Sequence, residues 1–340
     1  MADVIIEPVG TARRLHHDAL VINALDSSNE DKFTAEYVEV LQAGGIDAVN
    51  VTVPWPEDDF RQAVTSYTRW LRRLAPLGDA VRIVRTTADI TQAQRTGAVG
   101  VILGFQNAKP IEDDLTLIEV FHRLDVRIIQ LTYNRRNFIG NGVAEQHDDG
   151  LSRFGGEVVQ ELNRVGIVVD LAHVGTRTAL DAVQVSEAPV IVSHAAARAK
   201  CSHFRCIPDE LIRAVAQTGG CVGVAALSLL LRDGSVTSGS TLADYLDHVE
   251  HIIGAAGIDH VGIGFDVGFK RTDEDTAKLE STYPEFKFPP LHLRYATELN
   301  RADKAPNITV GLLQRGYSET DIRKVLGLNW LRVFSQVWGS

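Results

Sequence analysis

The sequence is poor in sulfur and in excess positive charge: 340 residues hold 3 Cys and 1 Met, with 34 Lys plus Arg against 44 Asp plus Glu. Three thiols cannot form a disulfide framework in a chain this long, which points to a reducing compartment. The net charge of −10 argues against partners rich in phosphate, whether nucleic acid or an anionic membrane surface. Long apolar runs are also missing. The longest nearly uncharged one, Gly219 to Leu231, is far short of the roughly 20 residues of a membrane span. The first twenty residues carry acids and Pro8 and no signal-peptide core, so a soluble, cytoplasmic protein is expected. No G-x-G-x-x-G or phosphate loop follows an apolar run, and no G-x-S-x-G elbow or Ser/His/Asp arrangement supports serine hydrolase chemistry. Histidine is plentiful, with 11 copies. That number permits metal or acid–base chemistry without requiring either.

Apolar runs of strand length recur along the chain. They are Ala19–Asn23, Ala48–Val53, Val99–Phe105, Val126–Leu131, Val165–Leu171, Pro189–Val192, Gly219–Val224 and His260–Phe265. Continuous rather than alternating hydrophobicity suits strands buried on both faces of a parallel sheet. Helical segments such as Asp31–Ala43, Asp114–Leu124, Phe154–Arg164 and Leu242–Ala256 lie between them. Eight strands alternating with helices predict an α/β fold of the (β/α)8 TIM barrel type, one domain over residues 1–340. A C-terminal helix is predicted at about 318–338, capped by Ser318 and Asp321, with Ile322, Val325, Leu326 and Leu331 at core spacing. The polar stretch Thr272–Pro290 reads as a long loop on the substrate side of the barrel.

In a barrel, a polar residue just past the C-terminal end of a strand faces the active site. Here that rule selects His173 after the fifth run, His194 after the sixth and Asp266 after the eighth. Two imidazoles and a carboxylate from neighbouring strand ends make a ligand set for Zn2+ or a similar divalent ion. Cys201-Ser-His203-Phe-Arg-Cys206 matches no common zinc spacing and reads as a structural loop. Glu145–Asp149 reads as a solvated acidic surface, and His16-His17 and His248-x-x-His251 as helix residues away from the strand ends.

The segment Gly150–Ala199, with IPDELI (207–212), HVGIGFD (260–266) and NWLRVF (329–334), resembles the membrane dipeptidase (renal dipeptidase) family of zinc metallopeptidases over nearly the whole chain. The resemblance implies an amidohydrolase-like barrel in which a metal-activated water attacks the amide of a dipeptide, and it implies a homodimer. It assigns His173 and His194 to one metal, Asp266 to the reacting proton and Arg205, eleven residues past His194, to the substrate carboxylate. Tyr133 stands where the family places an oxyanion-binding histidine. With its neighbour Asn134 it is expected at the substrate.

The departures from the family are concentrated on the other metal. Where the family has His-x-Asp after the first strand, this chain has Leu25 and Ser27, and the bridging Glu is replaced by Gln106. Leu cannot bind zinc, and Gln brings no charge, although its carbonyl oxygen can still ligate weakly. The expected site therefore holds one ion rather than two, on His173, His194 and, in addition, Asp266 and Gln106. A shifted alignment would instead bring Asp26 or Glu30 into the site. The expected function is metal-dependent hydrolysis of a dipeptide or a small amide bearing a free carboxylate. The alternatives are a non-hydrolytic lyase or decarboxylase with one metal and a silent barrel that binds a small molecule. Substrate choice would depend on loops around Trp55, Tyr67 and Phe138.

Overall fold

Strands with no polar face cannot leave either side of a sheet in water, and here the sheet closes on itself. The computed structural model describes residues 8–338. Among them nine strands form: β1 (Ile22–Asp26), β2 (Ala48–Thr52), β3 (Val81–Ile83), β4 (Val99–Phe105), β5 (Val126–Gln130), β6 (Val168–Asp170), β7 (Ile191–Ala195), β8 (Cys221–Val224) and β9 (Val261–Ile263). All pairings between these strands are parallel. Eight strands make a ring in the order β1-β2-β4-β5-β6-β7-β8-β9, closed where Asn23 of β1 pairs with Ile263 of β9. A (β/α)8 barrel results, as the run of strands and helices predicts.

The ninth strand, β3, falls outside the sequence reading. Its three residues pair with the first three of β4, while β5 pairs with the last three. It therefore fills the edge of β4 below the point where β5 begins. Its residues are only half-buried or exposed, so it lacks the continuous apolar run that identifies the others. The first strand also lies later than predicted, at Ile22–Asp26 rather than Ala19–Asn23. That shift places Asp26, Ser27 and Ser28 directly at the strand's C-terminal end.

Helices fill the crossovers, Leu242–Ala256 with the predicted bounds and Arg153–Val165 one residue wider at each end. Among the described residues no helix is long and apolar enough to cross a membrane. The C-terminal stretch continues as Glu319–Arg323, a π-helical turn Lys324–Leu328 and Asn329–Trp338. Ile322, Val325 and Leu326 are buried as predicted, but Trp330, not Leu331, is the large buried side chain. Trp330, Val333 and Phe334 pack with Ile22, Ile102, Ile128, Val168 and Ile191 of the strands. This helix therefore closes the barrel at the ends of the strands remote from His173 and His194.

The stretch predicted as a loop, Thr272–Pro290, contains a helix instead, Asp273–Thr282. Thr272 and Asp275 form a reciprocal capping box at its start, which satisfies two end donors locally. The helix buries no residue fully, so the apolar periodicity that identifies helices in sequence is absent.

Candidate active site

The C-terminal ends of the strands surround a cavity of about 730 Å³. Gln106, Tyr133, His173, Arg205 and Asp266 line it, and Arg271, Arg294 and Lys278 join them. Among the described residues six non-glycine residues have positive φ, and three of them are Asn134 (61°), His173 (60°) and Asp266 (55°). Each stands just past a strand. Backbone of this kind costs about 1–3 kcal/mol per residue and persists where the surroundings enforce it.

His173 and His194 meet through their Nε2 atoms, 2.9 Å apart. The outer nitrogens are both anchored. His173 Nδ1 lies 2.6 Å from Asn134 Oδ1, and His194 Nδ1 lies 2.8 Å from Ser193 Oγ. The Ser193 hydroxyl in turn donates to Asp170 Oδ2 at 2.5 Å, and Asp170 accepts from the Ser193 and Ala172 amides. Burial, with the nearby Arg205 charge, holds both imidazoles well below the ordinary histidine range, so they are neutral. Gly264 lets the backbone of Ser193 and His194 in β7 pass close to the end of β9. A Cβ there would lie 1.9 Å from the Ser193 carbonyl oxygen and 3.2 Å from the His194 Cα.

This donor set fits one divalent cation. Two Nε2 atoms converge, and each outer nitrogen faces an acceptor, on the His194 side through Ser193 to a carboxylate. Metal-bound histidines are oriented by such partners. The positions the family uses for a second ion bring no charged donor here. At the family's ligand positions, Leu25 is buried and apolar, and Ser27 is neutral. Among the described residues no three His, Cys, Asp or Glu side chains converge on one point. Asp266 does not complete a cluster with the histidines; it faces Arg271 and Arg205, and Ser27 stands beside it. Its expected role as a metal ligand is not what the geometry supports. Burial raises its carboxyl to about 6.

The other expected residues divide clearly. Tyr133 stacks on His173 with ring centres 4.2 Å apart and faces the cavity. Burial raises its hydroxyl well above the usual tyrosine range, so it stays protonated and able to donate. Arg205 is 2% exposed, and its Nη2 reaches the His194 carbonyl at 3.4 Å. Gln106 lines the cavity, with its backbone carbonyl accepting from the Gln130 amide. Asn134 is buried behind His173 and orients that ring; it does not line the cavity, contrary to the expected substrate contact.

Neither substitute carboxylate reaches the histidines. Asp26 accepts hydrogen bonds from the Tyr37 hydroxyl and the Ser28 amide, and Glu30 pairs with Arg69 at 2.9 Å. Trp55 lines the cavity, whereas Phe138 is 68% exposed and, like Tyr67, lies outside the lining. Cys201 and Cys206 are buried, as a structural loop requires. Asp148 is no free surface acid. It accepts from the amides of Arg177 and Thr178 at the start of helix Thr176–Val185. His16 bonds to Thr309 and Gly44, and His248 to the Ala197 amide and the Leu231 carbonyl. Both are structural. The sequence reading missed Arg271 and Arg294. Arg271 follows Asp266 by five residues and immediately precedes the polar stretch, which is a usable signal, while Arg294 has none.

Comparison with known proteins identifies the family and the fold. The chain matches the membrane dipeptidase family, peptidase family M19, over residues 10–286 and 293–338. It is 29% identical over 301 residues to a dipeptidase of Claviceps purpurea, covering 85% of this chain and 65% of that protein. A crystal structure of an amidohydrolase from Pseudomonas aeruginosa superposes with a TM-score of 0.89 at 35% identity, over 97% of this chain and 99% of that one. A Rhodobacter sphaeroides metallopeptidase, solved with a phosphinate mimic of L-Ala-D-Ala, shares the fold at 20% identity, TM-score 0.79, over 94% of this chain and 100% of that one. The chain belongs to the membrane dipeptidase family, peptidase family M19.

Proposed function

We propose that this protein hydrolyses the amide bond of a dipeptide or of a small amide carrying a free carboxylate, with one divalent metal ion rather than two. The observation that carries the reading is the meeting of His173 and His194 at 2.9 Å beside Tyr133, Arg205 and Asp266. His173 and His194 would hold the ion, zinc being the family's usual metal. When bound, a divalent cation lowers the pKa of water and polarises a carbonyl.

The chain's own residues supply the rest. Arg205 receives the substrate carboxylate, because its planar fork donates two parallel hydrogen bonds. Its burial removes competing water. Tyr133 donates its hydroxyl proton to the oxygen that becomes negative as the carbonyl is attacked. Asp266, held at about 6, takes a proton from the attacking water and returns it to the leaving amine. A carboxyl near that value does both at neutral pH. The cavity wall at Leu227, Leu229 and Trp55 excludes bulk water. We further propose that the protein acts in the cytoplasm as a homodimer.

Elemental analysis of the purified protein is expected to give near one equivalent of zinc or a related metal. Two equivalents would contradict the roles of Leu25 and Gln106. A panel of L,L and L,D dipeptides is expected to reveal turnover that His194→Ala abolishes. Turnover surviving in that variant would refute the site.

A further inference from the structure

Three guanidinium groups at this cavity have no carboxylate bound to them. Arg205 donates to the His194 carbonyl, and Arg271 to the Ser27 carbonyl at 2.9 Å. Arg294, 2% exposed, donates to the Pro289 carbonyl at 3.2 Å and stands 5.1 Å from the Phe288 ring centre, and its Nε has no acceptor. Among the described residues none of the three forms an ion pair. Two other cations of the lining do pair: Lys32 with Asp31 at 3.8 Å and Arg69 with Glu30 at 2.9 Å.

Among the described residues, the acids nearby, Asp273 and Glu274 included, form no ion pair with these guanidiniums. The charges of Arg205 and Arg271 both favour the ionised Asp266 carboxylate, which forms an ion pair with neither. Asp26 is engaged by Tyr37. Asp275 is held by the Thr272 amide and hydroxyl, and Glu280, which approaches Arg294, by the Phe288 amide and Lys287. Charges withdrawn from water are retained where a partner compensates them. A ligand is the partner still to come.

We propose that the cavity takes a substrate with two carboxylates, the second on a side chain and bound by Arg271 and Arg294. This rests on the amide-hydrolase reading for the first carboxylate, at Arg205. A dipeptide with an aspartyl or glutamyl residue has that chemistry, and a cavity of about 730 Å³ is in the range that small-molecule ligands occupy. Lys278, over the Trp55 ring at 4.7 Å, adds positive charge near the same wall.

The test separates binding from turnover. Calorimetry on the purified full chain compares glutarate with butyrate, and kinetics compares Ala-Glu with Ala-Gln. Glutarate is expected to bind about tenfold or more tighter than butyrate, and Ala-Glu to exceed Ala-Gln in kcat/KM by about the same factor. Both preferences are expected to collapse in Arg271→Gln and Arg294→Gln. Arg271→Lys, which keeps the charge and loses the fork, is expected to retain part of them. If Arg294→Gln does not fold, the two Arg271 variants and the wild-type comparisons decide. Equal binding of the two acids, or a preference that survives Arg271→Gln, overturns the proposal. Tight glutarate binding without cleavage of any dipeptide would defeat the hydrolase reading and leave the two-carboxylate site standing. Equal cleavage of Ala-Glu and Ala-Gln would do the reverse.

Discussion

At the scale of single residues, the site is made by side chains whose ordinary ionisation is suppressed. His173 and His194 are kept neutral by burial and the Arg205 charge, Tyr133 is kept protonated, and Asp266 is raised to about 6. Neutral imidazoles can bind a cation, and a protonated phenol can donate. Tyr133 carries the sharpest residue-level prediction. Its hydroxyl has no hydrogen-bond partner to lose within the fold, and its ring would be retained in Tyr133→Phe. Stability is therefore expected to change by less than about 0.5 kcal/mol, the range of substitutions that break no packing or buried bond. The lost donor is expected to lower kcat about 10²-fold with KM little altered, the signature of an interaction made in the transition state. Steady-state kinetics beside a thermal melt reads both. A rise in KM with kcat unchanged would instead assign Tyr133 to ground-state binding. Much of this site was legible in the sequence, because strand-end position alone picks out His173, His194 and Asp266. The Asn134 role was not. Nothing in the sequence says that its amide would turn behind His173 rather than toward the cavity, since that depends on a left-handed backbone at Asn134 itself.

At the scale of elements, legibility follows burial. The eight ring strands announced themselves as continuous apolar runs, and the helix Leu242–Ala256, with five buried residues, was found with its bounds. Two elements outside that reading, β3 and Asp273–Thr282, bury almost nothing. Their stability is local, and for the second it is the capping box. Thr272 Oγ1 accepts from the Asp275 amide at 3.1 Å, and Asp275 Oδ2 accepts from the Thr272 amide at 2.8 Å. Removing a cap of this type costs about 1 kcal/mol. Because few tertiary contacts back this helix, Thr272→Ala is expected to loosen it without lowering the global melting temperature by more than a degree or two. The helix brings Lys278 and Leu279 to the cavity, and Tyr283 just after it stands 5.0 Å from Tyr133. KM is therefore expected to rise several-fold while kcat holds. Hydrogen exchange localised to residues 273–282 would show the loosening directly, and unchanged exchange there would mean that the cap is dispensable.

At the scale of the whole molecule, the barrel separates stability from chemistry. One end of the strands carries the histidine pair and the unpaired guanidiniums. The other is sealed by the C-terminal helix, where Trp330 is fully buried and donates its indole N–H to the Ile263 carbonyl at 3.1 Å. The strands fit this ring closely: a Cβ at Gly262 would lie 2.4 Å from the Trp330 Nε1. The sequence placed this helix and its buried Ile322, Val325 and Leu326. It did not single out Trp330, because helical spacing alone does not tell which of two adjacent residues turns toward a partner that arrives from distant strands. Trp330→Ala removes the largest side chain of that seal and leaves a cavity beneath the barrel. The expected cost is about 3–5 kcal/mol by analogy with other buried aromatic truncations. Since β9 touches both ends, the active-site geometry could in principle follow. The pairing of β9 with β8 and β1 is made by backbone hydrogen bonds, however, and His173 just past β6 and His194 within β7 are braced by Asp170 and Ser193. The variant is therefore expected to unfold at lower urea concentration with an unchanged slope while keeping wild-type kcat and metal content in its folded fraction. Urea titration and activity on the same sample check it, and a parallel loss of metal binding would show that the two ends of the barrel are coupled.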